Sequence, residues 1–554
     1  MEYVLKQSSS DVIQSILNNR ELTRERVEEL LRADRYCWEY PTNYENMDLG
    51  YKELIMAMKH GDLIGIVIDP DVDGYTSAAA LLMFITEDLN YDNVVYIIQD
   101  QKHAKCHGLS SYVMEKVKDN NIKLLFTPDG ASNDFEYHKE LAKLGVKHIV
   151  LDHHLYDKTV ETPSIIINNN CDTVKNKNGS GCLVTYKFIY YVAYREKMNL
   201  EDKYCDLVYI SIIGDMMDMT SLENRYFSNT YQNIKCISNP LIQEFCKDLK
   251  RKNTLTIENI SYGISNRMNS IIRMGTDYDK DDLFNALLGS EEMVEYTYRG
   301  QTKVRTLQQD VIRKGDNLKR KQKEATKKSM EFINYYTTEE DRLIIVDGKN
   351  IDKSCTGLIA NKLSNEFCKP VLILKPYKDE LRGSVRGFKV EGFKTMCEES
   401  KLITFAEGHG LSFGLGLLES NLQDFITYMN ERLKDFTYDA RIPVDYAYEG
   451  FMPYGDMKEV AKLSSLWCKD LMAPLFLIRN VTVDLDSDVE KIKANVKIKS
   501  GKNYYSKEFC PRQEYERFVE GGGIKTFDFL CQVKVNDWNN KPYIHIVDFE
   551  RINN

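Results

Sequence analysis

The stretch Ile64-Gly-Ile-Val-Ile-Asp69-Pro-Asp71-Val-Asp73-Gly74-Tyr-Thr-Ser-Ala-Ala-Ala80 decides how the chain is read. Branched apolar residues run into three aspartates at alternate positions, followed by a glycine, a Thr-Ser pair and alanines. The run predicts a buried strand, a tight turn and a helix. On an extended segment, positions i, i+2 and i+4 project to one side. Asp69, Asp71 and Asp73 are therefore expected to converge at the carboxyl end of a strand, where open α/β sheets place their sites. Three carboxylates that close repel one another unless a cation neutralises them.

The pattern continues outward from this stretch. Apolar segments at 64–68, 94–98, 122–127, 147–151 and 164–167 alternate with amphipathic stretches such as 109–118 and 134–144. This alternation predicts a parallel sheet covered by helices. Residues 183–197 and 204–215 read as helices. Three further apolar runs end in acidic residues: Leu124-Leu-Phe-Thr-Pro-Asp129, His148-Ile-Val-Leu-Asp152-His153-His154 and Tyr209-Ile-Ser-Ile-Ile-Gly-Asp215. One aspartate after a strand is an ordinary turn or cap residue. Four such endings, with Asp-His-His in one and three aspartates in another, point to one site assembled at a sheet edge. Carboxylates with one or two imidazoles and no thiolate suit Mn²⁺ or Mg²⁺ better than zinc. Five or six candidate ligands exceed the needs of one ion. Two ions about 3.5–4 Å apart suit in-line displacement at phosphorus.

At 554 residues the chain exceeds one core, and about three or four domains are expected. The formal net charge of −10 argues against a uniformly basic coat while allowing local basic surfaces. The 13 cysteines include no Cys-x-x-Cys pair, which points to a reducing compartment without structural zinc. The amino terminus lacks the apolar core of a signal peptide, and no apolar run approaches membrane-spanning length. A cytoplasmic protein is the expectation, read as a monomer with no membrane partner.

The expected domains are a helical extension over 1–60, packed on the first domain, then a catalytic α/β domain over 61–235 and its helical part over 236–300. A connecting helix over 301–335 follows. Arg299 to Lys328 holds eleven Lys or Arg against three acids, with Val304, Leu307, Val311, Leu318 and Ala325 at helical spacing. It reads as one basic helix, broken or bent near Gly315. A second α/β domain over 336–438 has strands near 342–346, 371–374 and 381–385 and a Gly-rich turn at 407–416. Short strands at 475–484, 490–499, 503–509, 526–535 and 541–548 predict a small β-barrel over 439–554.

With its four acidic segments the chain resembles the DHH phosphoesterase superfamily. Asp69-x-Asp71-x-Asp73-Gly, Asp129, Asp152-His153-His154 and Asp215 match that superfamily's motifs in order. It further resembles the RecJ-type single-strand exonucleases. The stretches carrying that likeness are Asn266-Arg267-Met-Asn269-Ser-Ile-Ile-Arg273-Met-Gly275, Thr356-Gly-Leu-Ile-Ala-Asn-Lys-Leu363, Arg382-Gly-Ser384-Val-Arg386 and Glu407-Gly408-His409-Gly410-Leu-Ser-Phe-Gly414. The terminal segment Asn536-Asp-Trp538-Asn-Asn-Lys-Pro-Tyr543 resembles the family's OB fold.

The resemblance implies a DHH domain, a DHH-associated domain joined by a long helix, and an OB-type barrel. It implies that Asp71, Asp73, Asp129, His153 and Asp215 bind two Mn²⁺ or Mg²⁺ ions, with Asp69 close by. Asp152 and His154 would orient ligands or touch the scissile phosphate. Ser384 and Arg386, with Arg267 or Arg273 and with Asn269 in the same stretch, would hold a 5′-terminal phosphate. Gly408, His409 and Gly410 would let a phosphate approach the backbone. For Trp538, stacking on bases and hairpin packing remain equally open. Where the family carries an arginine before Gly-Tyr-Gly-Leu, this chain has Gln101-Lys102-His103-Ala-Lys-Cys-His107-Gly108-Leu109. Lys102 or His103 must then supply that phosphate contact, and a lysine gives charge without a bidentate fork. Such departures fit a divergent, phage-type member.

The expected function is 5′-to-3′ hydrolysis of single-stranded DNA to mononucleotides. The alternatives are a phosphodiesterase of short oligonucleotides or cyclic dinucleotides, and a catalytically silent DNA-binding scaffold. Likeness alone suggests a single-strand-binding protein or a helicase as partner.

Overall fold

The computed structural model describes residues 2–99, 107–200, 202–331, 333–436, 441–492, 495–501, 503–508 and 512–552. They form two compact units, Tyr3–Lys314 together with Ile442–Asn554, and Gly315–Arg441.

The first unit is built on a five-stranded parallel sheet in the order Val94–Ile98, Ile64–Ile68, Leu124–Pro128, Lys147–Asp152, Ile165–Asn168. The strands 64–68 and 124–128 are buried throughout. They read as unbroken apolar runs because helices cover both faces of the sheet. The second strand lies outside the first, and the third lies on its other side. The strand order therefore switches between Ile64–Ile68 and Leu124–Pro128, and the crevice at their carboxyl ends is the place for a site. Helix Val72–Met83 is buried along its whole length, with Ala78, Ala79 and Ala80 fully covered. Small side chains let it pack against helices Gly181–Arg195 and Cys205–Gly214.

One local expectation needs correction. The three aspartates do not alternate along one extended segment. The strand ends at Ile68, Asp71 is the N-cap of helix Val72–Met83 and accepts from the Gly74 N–H at 2.9 Å, and Asp73 lies in the first turn. A capping carboxylate satisfies an amide that the helix leaves unpaired, so the chain turns helical before a third extended residue. The run 209–215 is helical, as the sequence reading of 204–215 has it. It lies within helix Cys205–Gly214, and Asp215 is the C-cap.

The amino-terminal extension does more than pack on the first domain. Strand Tyr3–Leu5 pairs with Ile442–Val444. Val12 and Ile16 from helix Val12–Asn18 enter the core of the carboxyl-terminal sheet. Arg20 holds Asp445 at 2.7 Å. Trp38 instead packs on helix Gly181–Arg195 through Tyr186 and Tyr190.

The expected basic helix begins later than its charge pattern suggested. Residues Met293–Tyr298 and Gln301–Thr306 form a hairpin, and the helix runs unbroken from Leu307 to Met330 through Gly315. Lysine and arginine are compatible with either state, and the alternation Tyr296, Tyr298 and the Arg299-Gly300 turn decide for strands.

The carboxyl-terminal segment is a seven-stranded sheet in the order Tyr446–Glu449, Phe476–Asp484, Ile524–Val535, Pro542–Ile552, Asn503–Glu508, Asn495–Ser500, Val489–Ile492. Its ends approach one another, for Ser500 Oγ donates to the Thr482 carbonyl at 2.6 Å. Among the described residues no ladder closes it, so the expected barrel is a curled open sheet. Buried Arg225 ties this segment to the catalytic sheet by donating to the carbonyls of Met219, Ser465 and Leu466.

The second unit is a six-stranded sheet in the order Ile403–His409, Ser412–Leu418, Glu380–Arg386, Val371–Tyr377, Ile344–Asp347, Asn334–Tyr335. The segment expected as a Gly-rich turn is a hairpin of two seven-residue strands. The Phe405 ring covers Gly416, where a Cβ would lie 2.3 Å from it, so the glycines serve packing rather than a long turn.

No described helix is long and apolar enough to cross a membrane. The eleven described cysteines are all free.

A buried ion pair fixes the Trp38 segment. Fully buried Lys187 meets Glu223 and the Glu39 carbonyl, with the Trp38 ring 4.1 Å away. Burial lowers the Lys187 pKa to about 8, against the pull of Glu223. Breaking a buried pair leaves an uncompensated charge. Glu223→Ala is expected to cost about 3–5 kcal/mol in denaturant unfolding, since Lys187 then stays buried without its carboxylate.

Candidate metal centre

The carboxyl ends of strands Ile64–Ile68, Leu124–Pro128 and Lys147–Asp152 bring Asp69, Asp129 and Asp152-His153-His154 to one crevice. The first turn of helix Val72–Met83 adds Asp71 and Asp73, and the end of helix Cys205–Gly214 adds Asp215. Their ligand atoms form three groups within 4.8 Å: Asp69, Asp71 and Asp129; Asp73, His153 and Asp215; Asp129, Asp152, His153 and His154. Asp129 and His153 are each shared by two groups.

The spacing fits a hard divalent cation. Two adjacent ligands of an octahedral ion, each about 2.1 Å from it, lie about 3.0 Å apart. His153 Nε2 lies 3.1 Å from Asp129 Oδ1, 3.4 Å from Asp215 Oδ2 and 3.8 Å from Asp73 Oδ2. Asp129 Oδ1 and Asp215 Oδ2 are buried and accept no hydrogen bond from the described residues. Buried carboxylate oxygens without donors are costly unless a cation meets them. The donor set of oxygens and imidazole without thiolate suits Mn²⁺ or Mg²⁺.

The electrostatics carry the same message. Burial, then the charges of Asp73, Asp71, Asp69 and Asp215, push the Asp129 carboxyl well above its ordinary range. Burial and the neighbouring aspartates Asp73 and Asp71 raise Asp215 in the same way. Burial and the neighbouring His154 lower His153, favouring the neutral imidazole that a metal requires. His154 differs. Burial opposes its charge, but Asp152, 2.8 Å from its Nδ1, outweighs it and pushes the pKa up to about 9. Asp152 is in turn held below the usual carboxylate range against its burial, by His154 and by the Ser132 amide. Asp152 also accepts the amides of His153 and His154, so it shapes the Asp-His-His turn rather than facing the ions with both oxygens.

Several contributors carry no acidic signature. Helix Gly181–Arg195 points its amino terminus at Asp73, which accepts the amides of Gly181 at 2.7 Å and Cys182 at 2.8 Å. The helix dipole stabilises that carboxylate. Ser211 Oγ donates to Asp73 Oδ1 at 2.5 Å. A Cβ at Gly181 would lie 2.6 Å from the Asp129 Cβ, and one at Gly74 would lie 2.5 Å from Asp69. Only glycine permits these approaches. Gly179-Ser180-Gly181 before an apolar run is a helix-start signal that points here in the sequence. Asp129 and Ala131 both hold left-handed backbone, at φ 63° and 78°. Such strain costs on the order of 1 kcal/mol per residue and needs support. His138, fully buried, supplies it with Nε2 2.9 Å from the Ala131 carbonyl. His107 Nδ1 lies 2.6 Å from Asp69 Oδ2, with 61% of its side chain exposed at the rim.

Residues expected to touch substrate are more dispersed. Lys102 and His103, and the side chain of His409, lie outside the described residues. Arg267 meets Asp248 at 2.7 Å and lies over the Phe245 ring. Asn269 Oδ1 is buried with no hydrogen-bond partner in the chain. Arg273 is exposed and within the field of Asp71. Trp538 is 65% exposed, and Lys252 covers one ring face at 3.7 Å. Its loop is fastened by Asp537, which accepts the amides of Lys252 and Thr254. In the second unit Ser384 Oγ lies 2.9 Å from Thr356 Oγ1. A Cβ at Gly357 would lie 3.0 Å from the Arg386 guanidinium, which places that cation at the start of helix Thr356–Phe367. Gly408 and Gly410 are exposed at the hairpin end, Gly408 with φ 118°.

A parallel sheet with a carboxylate and histidine cluster at its switch point defines a class. The chain matches the DHH family, N-terminal domain, over residues 63–212. It is 29% identical over 98% of its length, and 96% of the relative's, to YorK of the SPbeta prophage of Bacillus subtilis (strain 168), described as a candidate single-strand DNA-specific exonuclease. It is 22% identical to the single-stranded-DNA-specific exonuclease RecJ of Haemophilus influenzae, over 72% of this chain and 70% of that one. In fold it is similar to the crystal structure of RecJ in complex with Mn²⁺ from Thermus thermophilus, with a TM-score of 0.69 and 16% identity over 98% of this chain and 76% of that one.

Two outcomes follow from the charge balance. Asp129→Asn removes the most repelled carboxylate, so in EDTA its Tm is expected to rise by roughly 2–4 °C while its stabilisation by Mn²⁺ falls. His154 has a folded pKa near 9 against an ordinary 6.5. Its contribution is fully present below about pH 6.5 and lost as pH rises through about 9. Unfolding of metal-free protein from pH 6 to 9.5 is expected to show this loss, and His154→Ala to flatten it.

Proposed function

We propose that this chain is a 5′-to-3′ exonuclease that hydrolyses single-stranded DNA to mononucleotides with two Mn²⁺ or Mg²⁺ ions. The observation that carries this reading is the meeting of Asp129 Oδ1, Asp215 Oδ2 and His153 Nε2, buried at metal-ligand spacing. The exonuclease names of YorK and RecJ support the substrate class, and the Mn²⁺ in the RecJ crystal structure supports the ion.

Asp69, Asp71 and Asp129 suit one ion, and Asp73, His153 and Asp215 the other. When bound, the ions supply an acidified water and neutralise charge on the leaving oxygen. The chain's own groups do the rest. Asp129 reaches both ligand groups and fixes their separation. Helix Gly181–Arg195 and Ser211 hold Asp73 in one rotamer. His154, charged at neutral pH through Asp152, is placed to donate a proton or a hydrogen bond to a phosphate oxygen. The water oxygen bonds to phosphorus as the P–O3′ bond breaks. The released nucleotide keeps its 5′-phosphate and gains a 3′-hydroxyl, and the shortened strand carries a new 5′-phosphate. That product is the next substrate if Ser384 and Arg386 hold the 5′-terminal phosphate. An arginine fork with hydroxyl groups suits that anion. The curled carboxyl-terminal sheet is assigned to strand binding in the manner of an OB fold, and a helicase or single-strand-binding protein to supplying the strand.

The test is digestion of 5′- and 3′-labelled single strands with Mn²⁺. Labelled mononucleotide is expected at once from the 5′ label and only late from the 3′ label. Asp129→Ala and His153→Ala are expected to lose at least about 100-fold in rate, more than the loss of a residue that only supports a ligand. Variants as active as wild type, or preference for dinucleotides over long strands, would overturn the proposal.

A further inference from the structure

The hairpin Met293–Tyr298 with Gln301–Thr306 pairs with no other described strand. An isolated two-stranded ribbon is marginal in water, so this one needs an anchor and its exposed part needs a use. The anchor lies at its base. The Arg305 guanidinium stacks on Tyr296 at 3.5 Å, with Nε 3.2 Å from Asp310 of the following helix. Gln308 donates to the Ser290 carbonyl at 2.8 Å.

The register sorts the exposed part into two unlike faces. Tyr296 stands opposite Lys303, Tyr298 opposite Gln301, and Val294 opposite Arg305. Directly opposed residues share a face of the ribbon, and successive residues alternate. Both tyrosines and both strand cations therefore lie on one face. The other face carries Glu295, Met293, Val304 and three threonines. At the tip Tyr298 is 49% exposed, with Arg299 5.3 Å and Lys303 5.1 Å from its ring centre. A half-open ring between two cations matches the chemistry of an unpaired nucleotide, a base to stack and phosphates to neutralise. A duplex keeps its bases stacked on one another and leaves the ring without a partner.

We propose that the Tyr298 face of this hairpin binds single-stranded DNA, with the ring stacked on a base and Arg299 and Lys303 on flanking phosphates. This deepens the exonuclease reading and rests on it for the substrate class. It assigns the strand a contact that uses none of the metal ligands.

The experiment is fluorescence anisotropy of the full chain with a labelled 20-nucleotide single strand in EDTA, so that binding is read without turnover. Tyr298→Ala is expected to weaken binding about 5-fold or more. Arg299→Ala with Lys303→Ala is expected to flatten the slope of log K against log salt by about 1.4, at about 0.7 for each phosphate contact. Thr302→Ala, on the opposite face, is expected to bind as wild type. Equal binding by all variants, equal losses in Thr302→Ala, or a wild type that binds duplex as well as single strand would overturn the hairpin proposal. So would a wild type that does not bind the strand. A wild type that binds the strand through this face but releases no nucleotide in Mn²⁺ would overturn the exonuclease reading and leave the hairpin standing.

Discussion

Six aspartates drawn into one largely buried crevice are the constraint on which the rest of this structure depends. Charges of one sign at such distances in a low-dielectric setting are unfavourable by several kcal/mol unless something positive meets them. The chain meets part of the demand itself. One helix amino terminus faces Asp73, and His154 meets Asp152. The oxygens of Asp129 and Asp215 that face His153 accept no hydrogen bond from the described residues. The remaining demand has the size and donor chemistry of divalent ions. The site thus gives up metal-free stability for a ready-made ligand set, as sites built for charge chemistry do.

Holding these carboxylates together requires backbone approaches that ordinary residues do not allow. Gly74 lets a helix start directly behind the strand that ends at Ile68, and Gly181 lets a second helix begin against Asp129. Ala78, Ala79 and Ala80 keep the first helix thin enough to lie buried between its neighbours. The left-handed turn at Asp129 and Ala131 aims the shared ligand and is braced from behind by His138. Each is a small residue or a strained one, placed where the backbone beside a ligand must fit.

The outer parts of the first unit serve binding and cohesion together. The loop bearing Trp538 is fastened through Asp537 to residues 252–254, and its ring lies under Lys252. It is a docking contact of the carboxyl-terminal sheet, with one ring face covered. On the 293–306 hairpin Tyr298 is half-exposed, with Arg299 and Lys303 over its ring. The amino-terminal extension joins the ends of this unit, since its first strand pairs with Ile442–Val444 and its first helix enters the core of the carboxyl-terminal sheet, while Trp38 packs on helix Gly181–Arg195.

What the sequence determined by itself was local chemistry. The apolar runs predicted the strands of the catalytic sheet to within a few residues, because buried parallel strands must be apolar on both faces. The acidic and histidine residues at their ends marked the metal centre, because so many carboxylates in one place repel one another without a cation. The tertiary structure decided everything set by partners distant in sequence. The aspartates of the opening stretch meet by capping rather than by alternation. A basic run that suited a helix became partly a hairpin, and the expected barrel remained an open curl. His107 and His138 stayed silent in the sequence. A histidine has no periodic signature, and its role exists only once the chain has folded another residue against it.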